Sequence, residues 1–432
     1  MTSTIRHTES EALANVATVL QLCAAGTLRC SEKTQRPSAV TVRTVAEALA
    51  AGDFYPDDAI AAFAWPLLLQ AGGLARLDGP RLGLTPKGRA ALGKPAHEVI
   101  RGLWDRWPRH APIDEFSRVE AIKGQRAASA LSAAGPRRQT VAAALELCPP
   151  GEWITVDDLF GRMRRADLSP TVARSERGLW KLYLSDPEYG SLGYDGHHDW
   201  PILEGRYTLA VLFEYAATLG LLDVEYVAPA HARDDFRHMW GADWTVALSR
   251  YDGLRAVRLT PLGAYAAGLV SPYTPPEPVV PGRGIEVLAN FDIVATADLS
   301  AADRLVLDAY AAHTSDRVWT LSAASLLTAV DAGRPPADLA SFLAERAVHG
   351  LPATVRTLLD DVESRTRQVR DLGMRRVVEC ANANVATLLA RDRSLRPYCT
   401  RIGDRHLMLA AGGEVKVRTA MRKLGYALGP GF

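Results

Sequence analysis

The chain opens on a helical spacing of apolar positions. In EALANVATVLQLCAAG, after Ser10, the residues Leu13, Val16, Val19, Leu20 and Cys23 recur at helical intervals, which predicts an amphipathic helix. The polar stretch SEKTQRPSA interrupts it, and a second helix is predicted over Val42–Ala51. A third is predicted to start near Asp57, where the carboxylates of Asp57 and Asp58 suit a helix amino terminus, and to run through Ile60, Phe63, Trp65 and Leu68 with a kink at Pro66. The period then changes. Leu74, Arg76 and Leu77 read as a short strand, Asp78-Gly79 as a hairpin turn, and Leu82 and Leu84 as the return, after which Thr85-Pro86 supplies the N-cap and first-turn proline of another helix.

That ending occurs a second time. Leu84-Thr85-Pro86-Lys87-Gly88 has a counterpart in Leu259-Thr260-Pro261-Leu262-Gly263, and Gly73-Leu74 corresponds in the same way to Gly220-Leu221. The second copy is predicted to begin with a helix over Thr140–Leu147, to continue in a helix capped by Thr155 and carrying Leu159 and Met163, and to place a third helix over Tyr207–Leu219. Its strands, LLDVEYV and LRAVRL, flank a long insert that holds His231, Asp234, Asp235, Trp240 and Trp244. Three helices followed by a hairpin resemble the winged-helix plan. Two such units are therefore expected, over 1–110 and 139–270, with a basic connecting segment at 111–138 and a Pro-rich linker, SPYTPPEPVVPGRG, at 271–284.

From Ile285 the pattern becomes alternating again. Ile285, Val287, Leu288, Phe291, Ile293 and Val294 form a β-rich run, and Ser300 with Asp303 three residues on predicts a helix start. Val318, Trp319 and Leu321 lead into SAASLLTAVDAG, with Ser322 as N-cap and Gly333 as stop. Pro335-Pro336 opens a helix carrying Leu339, Phe342, Leu343 and Ala347; after Gly350, Leu351-Pro352 opens a further one through Val355, Leu358, Leu359 and Val362. This order of elements, with the tail HLMLAAGGEVKVRTAMRKLGYAL, resembles the amino-terminal domain of the XPB family of DNA repair helicases over about 285–432. The resemblance implies helicase-associated work; by itself a fold does not determine a function. A helicase motor needs a Gly-rich loop ending in Lys-Ser/Thr, and the nearest stretches, Gly412-Gly413-Glu414 and Lys123-Gly124, lack that order. A domain without its engine is expected, so no enzymatic activity and no cofactor.

With 48% hydrophobic residues in 432, the chain has material for two or three cores, and the expected class is mainly α with small β-sheets, α+β. Abundant Ala and Arg suggest a GC-rich, bacterial genome. The net charge of +1 hides an uneven distribution: fourteen Lys or Arg lie between Arg365 and Lys423, against six acids from Glu363 to Glu414. Cys23, Cys30, Cys148, Cys380 and Cys399 contain no CxxC pair, so no zinc site and reduced thiols are expected. No secretory signal pattern opens the chain and no apolar run has spanning length, so a cytoplasmic protein without membrane contact is expected.

Candidate chemistry is mostly cationic. The candidates for DNA phosphate contact are Arg76, Arg81, Lys87 and Arg89 on the first hairpin and its helix, Arg118, Lys123, Arg126, Arg137 and Arg138 in and beside the connecting segment, Arg162, Arg164 and Arg165, and Lys416, Arg418, Arg422 and Lys423 at the carboxyl end. Base readout is disfavoured because the two candidate third helices are poor in Arg, Lys, Asn and Gln; the second offers only Arg206. His197-His198-Asp199-Trp200 imitates a metal or catalytic cluster without a third ligand, and Asp186, Glu188, Asp195 and Asp199 fit no defined calcium loop, so an exposed loop is expected. Trp180, Trp200, Trp240, Trp244 and Trp319 are read as core or partner interface. The expected function is a DNA-associated accessory protein in repair or genome defence, with double-stranded DNA and a helicase, ATPase or nuclease as partners. The alternatives are a winged-helix transcription regulator and a protein-only scaffold.

Overall fold

The computed structural model describes residues 2–276, 284–369, 372–410 and 412–428. It is α+β, mixing helices with small antiparallel sheets, and has two compact units, Met1–Asp360 and Asp361–Phe432. The first unit opens with strand β1 (Thr4–Arg6) and helices α1 (Thr8–Ala25), α2 (Ala39–Ala48) and α3 (Ala61–Ala71). α1 starts earlier than the apolar spacing suggests, because the Asp223 carboxylate accepts from the Thr8 N–H at 2.8 Å. α2 also begins earlier, where the Ser38 side chain accepts from Thr41 N. The expected start of α3 at Asp57 is corrected: Asp53 supplies the cap, its two carboxylate oxygens accepting from the N–H groups of Ile60, Ala61 and Ala62 at 3.1, 2.9 and 2.8 Å, while Asp58 pairs with Arg250.

α3 is apolar all round and is buried on every side save Gln70 at its end, so it belongs to the core rather than presenting an exposed face. The hairpin β2 (Ala75–Asp78) and β3 (Arg81–Leu84) follows as expected, pairing Leu77 with Leu82, and leads into α4 (Pro86–Ala91) and α5 (Ala96–His110). A two-residue strand β4 (Ile122–Lys123) precedes α6 (Ala134–Ala144), which takes in the end of the expected connecting segment. β5 (Trp153–Thr155) and α7 (Val156–Arg165) come next, with Thr155 capping α7 as expected. The short α8 (Glu176–Leu179) and β6 (Tyr183–Leu184) precede a helix over 201–217, whose centre, α9 (Arg206–Ala210), is flanked by wider π-helical turns. β7 (Leu222–Tyr226), β8 (Leu254–Leu259) and α10 (Pro261–Ala266) complete the second repeat. The sheet order is β1-β7-β8-β5, so the amino-terminal strand, which periodicity did not reveal, is the edge partner of β7.

The two Leu-Thr-Pro junctions have the same bonding. Thr85 and Thr260 each stand between a hairpin and a helix; their hydroxyls accept from Gly88 N at 3.0 Å and Gly263 N at 2.8 Å, and donate to Gly73 O at 2.8 Å and Gly220 O at 2.7 Å. A Cβ on Gly88 would lie 1.9 Å from Leu74 O, and one on Gly263 2.1 Å from Leu221 O. That contact is with backbone, which cannot step aside as a side chain tip can. Gly88→Ala and Gly263→Ala are each expected to destabilise the protein by about 1–3 kcal/mol through overpacking. Gly93→Ala, where a Cβ would meet nothing within 4 Å, should stay within about 0.5 kcal/mol in the same urea titration.

One apolar core runs from Ala12 to Ala266 and joins the two repeats. Its seam is aromatic: Trp107 of α5 stacks on Trp104 at 5.3 Å and on Tyr215 of the 201–217 helix at 4.9 Å. Residues 277–283 of the expected linker lie outside the described residues. The remainder of the first unit is built on β9 (Ile285–Val287), β10 (Asp292–Ala295), α11 (Ala301–Tyr310), β11 (Ala312–Ser315), β12 (Val318–Thr320), α12 (Ala323–Asp331) and α13 (Pro336–Arg346), with sheet order β11-β12-β10-β9. The apolar run from Ile285 is thus a hairpin, turning at Phe291 with φ of 73°, and Ser300 and Ser322 cap α11 and α12 as expected. α14 (Ala353–Thr366) crosses the division between the units. The second unit holds β13 (Val377–Glu379), α15 (Ala383–Arg391), β14 (Cys399–Arg401), β15 (His406–Leu409) and α16 (Glu414–Lys423), with sheet order β13-β15-β14 around Ala386, Leu389, Leu407 and Val417.

Candidate nucleic-acid interface

The cationic candidates divide into those facing solvent and those held inside. On the first hairpin, Arg76 stands opposite Gly83 and Arg81 opposite Asp78, and both are exposed, as are Lys87 and Arg89 on α4. Arg81 packs over Gly26, which closes α1 with φ of 68° and leaves the room that a side chain there would fill. Lys87 donates from Nζ to Gly72 O at 3.1 Å. Partial burial, then the like charges of Arg106 and Lys94, lower its pKa. Arg106 and Lys94 therefore extend this positive field, although they come from outside α4, and sequence spacing gave no reason to group them.

Arg118, Arg137 and Arg138 are placed in the core, which corrects their assignment to an accessible basic segment. Arg118 donates to Glu214 from Nη2 at 2.9 Å and to Ala59 O at 2.9 Å; Arg138 donates from Nε to Glu115 at 2.8 Å; and Arg137 pairs with Asp114. Arg118 and Arg138 are engaged by buried carboxylates, and Arg137 is itself enclosed, with Nε and Nη1 buried and without a hydrogen-bond partner among the described residues, so none of the three reaches a phosphate. Lys123 and Arg126 are exposed, the former donating to Glu120 O at 2.6 Å. In the last turn of α7, Arg162 is half-buried and donates to Leu147 O at 2.9 Å, while Arg164 and Arg165 are exposed. There they also complement the negative end of the helix dipole.

Burial pushes the Glu115 carboxyl up to about 7, against the pull of Arg138. A raised acid keeps its proton in the folded state while the unfolded chain has released it, so its stabilising contribution is complete below about pH 4.5 and is lost as pH rises through 7. Relative to Glu115→Gln, the native protein should lose on the order of 3 kcal/mol between pH 4.5 and pH 8. Urea titrations of both proteins at several pH values check this; parallel curves would refute it.

In the second unit, Lys416, Arg422 and Lys423 of α16 are exposed and Arg418 is half-buried. Lys416 lies over the Tyr398 ring at 5.3 Å. Arg401 pairs with Asp404 at 3.3 Å and Arg405 with Glu379, whereas among the described residues Arg391, Arg393, Arg396, Arg422 and Lys423 have no ion-pair partner. Over 361–432 the chain holds fourteen Lys or Arg against seven Asp or Glu, and 1–360 carries the compensating acidic excess.

Neither third helix offers a reading face. α3 contains no cation, and in the 201–217 helix Arg206 and Glu214 are fully buried. The His197-His198 loop also gathers no metal ligands: His197 Nδ1 hydrogen-bonds to Ser191 O at 3.0 Å and His198 Nδ1 to Leu192 O at 2.9 Å, and among the described residues no group of three or more His, Cys, Asp or Glu is placed to hold a metal. The five cysteines are buried and unpaired, and burial raises Cys23 to about 12 and Cys148 to about 11, which makes them poor nucleophiles. Among the described residues no helix is long and apolar enough to cross a membrane.

Residues 287–402 match the family model described as a helicase conserved C-terminal domain. This part of the chain is helicase-associated. No curated protein matches the chain. The helicase-associated stretch begins in the β9–β10 hairpin, includes α11 to α15 and ends just after β14, so it takes in Arg391, Arg393 and Arg396 of the cationic surface.

Proposed function

We propose that the protein is a non-enzymatic, DNA-associated accessory factor that holds duplex phosphates through exposed cations and works beside a helicase, ATPase or nuclease supplied by another chain. On this reading the two Leu-Thr-Pro repeats are winged-helix units, and the carboxyl-terminal part is akin to the amino-terminal domain of the XPB helicases. Its context is DNA repair or genome defence. The observation that carries the proposal is the overlap of the helicase-associated match with the most basic stretch of the chain.

Binding through phosphates does not require an exposed reading helix, and weak sequence selectivity follows from it. A regulator reading bases through its third helices is disfavoured by the burial of α3 and of Arg206. Fluorescence polarisation with duplexes of unrelated sequence, repeated across salt concentrations, tests the proposal. Similar affinities for all duplexes and a linear fall of log K with log salt are expected. Absence of binding at low salt would end the DNA reading, and ATP hydrolysis by the purified chain would end the non-enzymatic one.

A further inference from the structure

Two irregular stretches meet on one surface of the first unit: residues 180–200, and the excursion 227–253 between β7 and β8. Ser185 Oγ donates to Gly241 O at 3.0 Å and His238 Nε2 to Gly196 O at 2.9 Å, so each stretch holds the other in place. Aromatic side chains face solvent on this frame. Tyr189, Trp240 and Trp244 are 55%, 51% and 94% exposed, and Trp180 and Tyr194 are also exposed. Among the described residues the only other exposed tryptophan or tyrosine is Trp153.

Four of these five rings fall into two contacting groups, and Trp244 stands apart from both with no ring contact of its own among the described residues. Trp180 meets Tyr194 edge to face at 5.0 Å, Tyr194 meets His197 at 5.7 Å, and Tyr189 lies against Trp240 at 5.4 Å. Trp180 is seated on Gly193, where a Cβ would fall 2.2 Å from the indole, so one side of the ring is fixed while nearly half of its surface stays in solvent. Exposed aromatic surface gathered on one frame marks an interaction site.

The charge around the rings selects the partner. Over the two stretches, 180–200 and 227–253, eight Asp or Glu stand against four Lys or Arg, and Glu188, Asp195, Asp199, Asp234 and Asp243 are exposed. A nucleic-acid strand stacked on these rings would bring its phosphates into an excess of carboxylates, where Arg233, Arg237 and Arg250 are already paired with acids and Lys181 alone has no ion pair among the described residues. A guanidinium satisfies both features at once, since it stacks flat on an aromatic face and pairs through its fork with a carboxylate. We propose that this surface docks an arginine-rich segment of a partner protein. The proposal uses none of the cations considered for phosphate contact and does not depend on the DNA reading.

The test uses the full chain and a fluorescein-labelled peptide of four Arg-Gly repeats, with Lys-Gly, Glu-Gly and oligo-dT probes alongside. The native protein should bind the Arg-Gly peptide in a salt-sensitive manner and several-fold more tightly than the Lys-Gly peptide. Trp240→Ala/Trp244→Ala, at exposed positions, should weaken it at least tenfold with an unchanged melting temperature, and Asp195→Asn/Asp199→Asn should weaken it as well. No binding of the Arg-Gly peptide at low salt, or undiminished binding by the tryptophan variant, would overturn the proposal. Oligo-dT binding that the tryptophan variant loses would overturn it in favour of a single-stranded nucleic acid.

Discussion

Arg206→Met is expected to lower the unfolding free energy by about 3–5 kcal/mol, the effect of leaving a buried carboxylate without its cation. Arg206 is fully buried in α9 and its donors are all engaged: Nε donates to Asp252 at 3.1 Å, Nη1 to Asp235 at 2.6 Å and to Pro201 O at 2.9 Å, and Nη2 to Asp235 at 2.6 Å and Asp252 at 3.2 Å. Asp252 is itself enclosed, accepting from Leu248 N at 2.9 Å and Ser249 Oγ at 2.7 Å. One guanidinium thereby joins the central helix of the second repeat to both ends of the long excursion between β7 and β8. Methionine approximates its volume, so the loss isolates charge and hydrogen bonding from packing. Arg206→Met/Asp252→Asn should recover part of it, because the orphaned charge is then gone. Urea unfolding of the two variants decides the matter: a single variant within 1 kcal/mol of the native protein would show that water or a shifted loop compensates Asp252.

The same residue shows where the sequence is informative and where it is not. Arg206 was visible only as a lone cation in an apolar helix, because its partners lie 29 and 46 residues away across an irregular stretch. Arg118 and Glu214 are 96 residues apart, and β1 pairs with a strand more than 200 residues downstream. Long-range pairing of this kind leaves no local pattern, so an arginine destined for the core looks like one destined for solvent. Asp53 escaped notice for a related reason: it caps α3 from across a loop, whereas Asp57 and Asp58 had the conventional position. The Leu-Thr-Pro junctions are legible because the residues that build them are consecutive: the hydroxyl, the first-turn proline and the glycine fall within four residues. The carbonyls that Thr and Gly meet nevertheless lie upstream of each hairpin, 40 residues from Thr260 in the second copy.

Replacing Lys416, Arg422 and Lys423 together by alanine is expected to weaken duplex binding by roughly ten- to a hundredfold at low salt, and to reduce the magnitude of the log K against log salt slope by up to about 3. The prediction separates two roles for cations at the end of α16. Arg422 and Lys423 occupy its last turn, where a positive charge favourably meets the helix dipole by about 0.3–1 kcal/mol even if no DNA is ever bound. If that is their whole role, the triple variant will melt slightly earlier and bind duplexes as before. If they neutralise phosphates, stability will change little while affinity and salt slope fall together, and equally for every duplex sequence, since phosphate contacts carry no base information. The matching variant of the first hairpin region, Arg76→Ala/Lys87→Ala/Arg89→Ala, distributes the effect between the two units. A slope changed by one variant alone assigns the contact to that unit, and slopes unchanged in both would remove duplex binding from the proposed function.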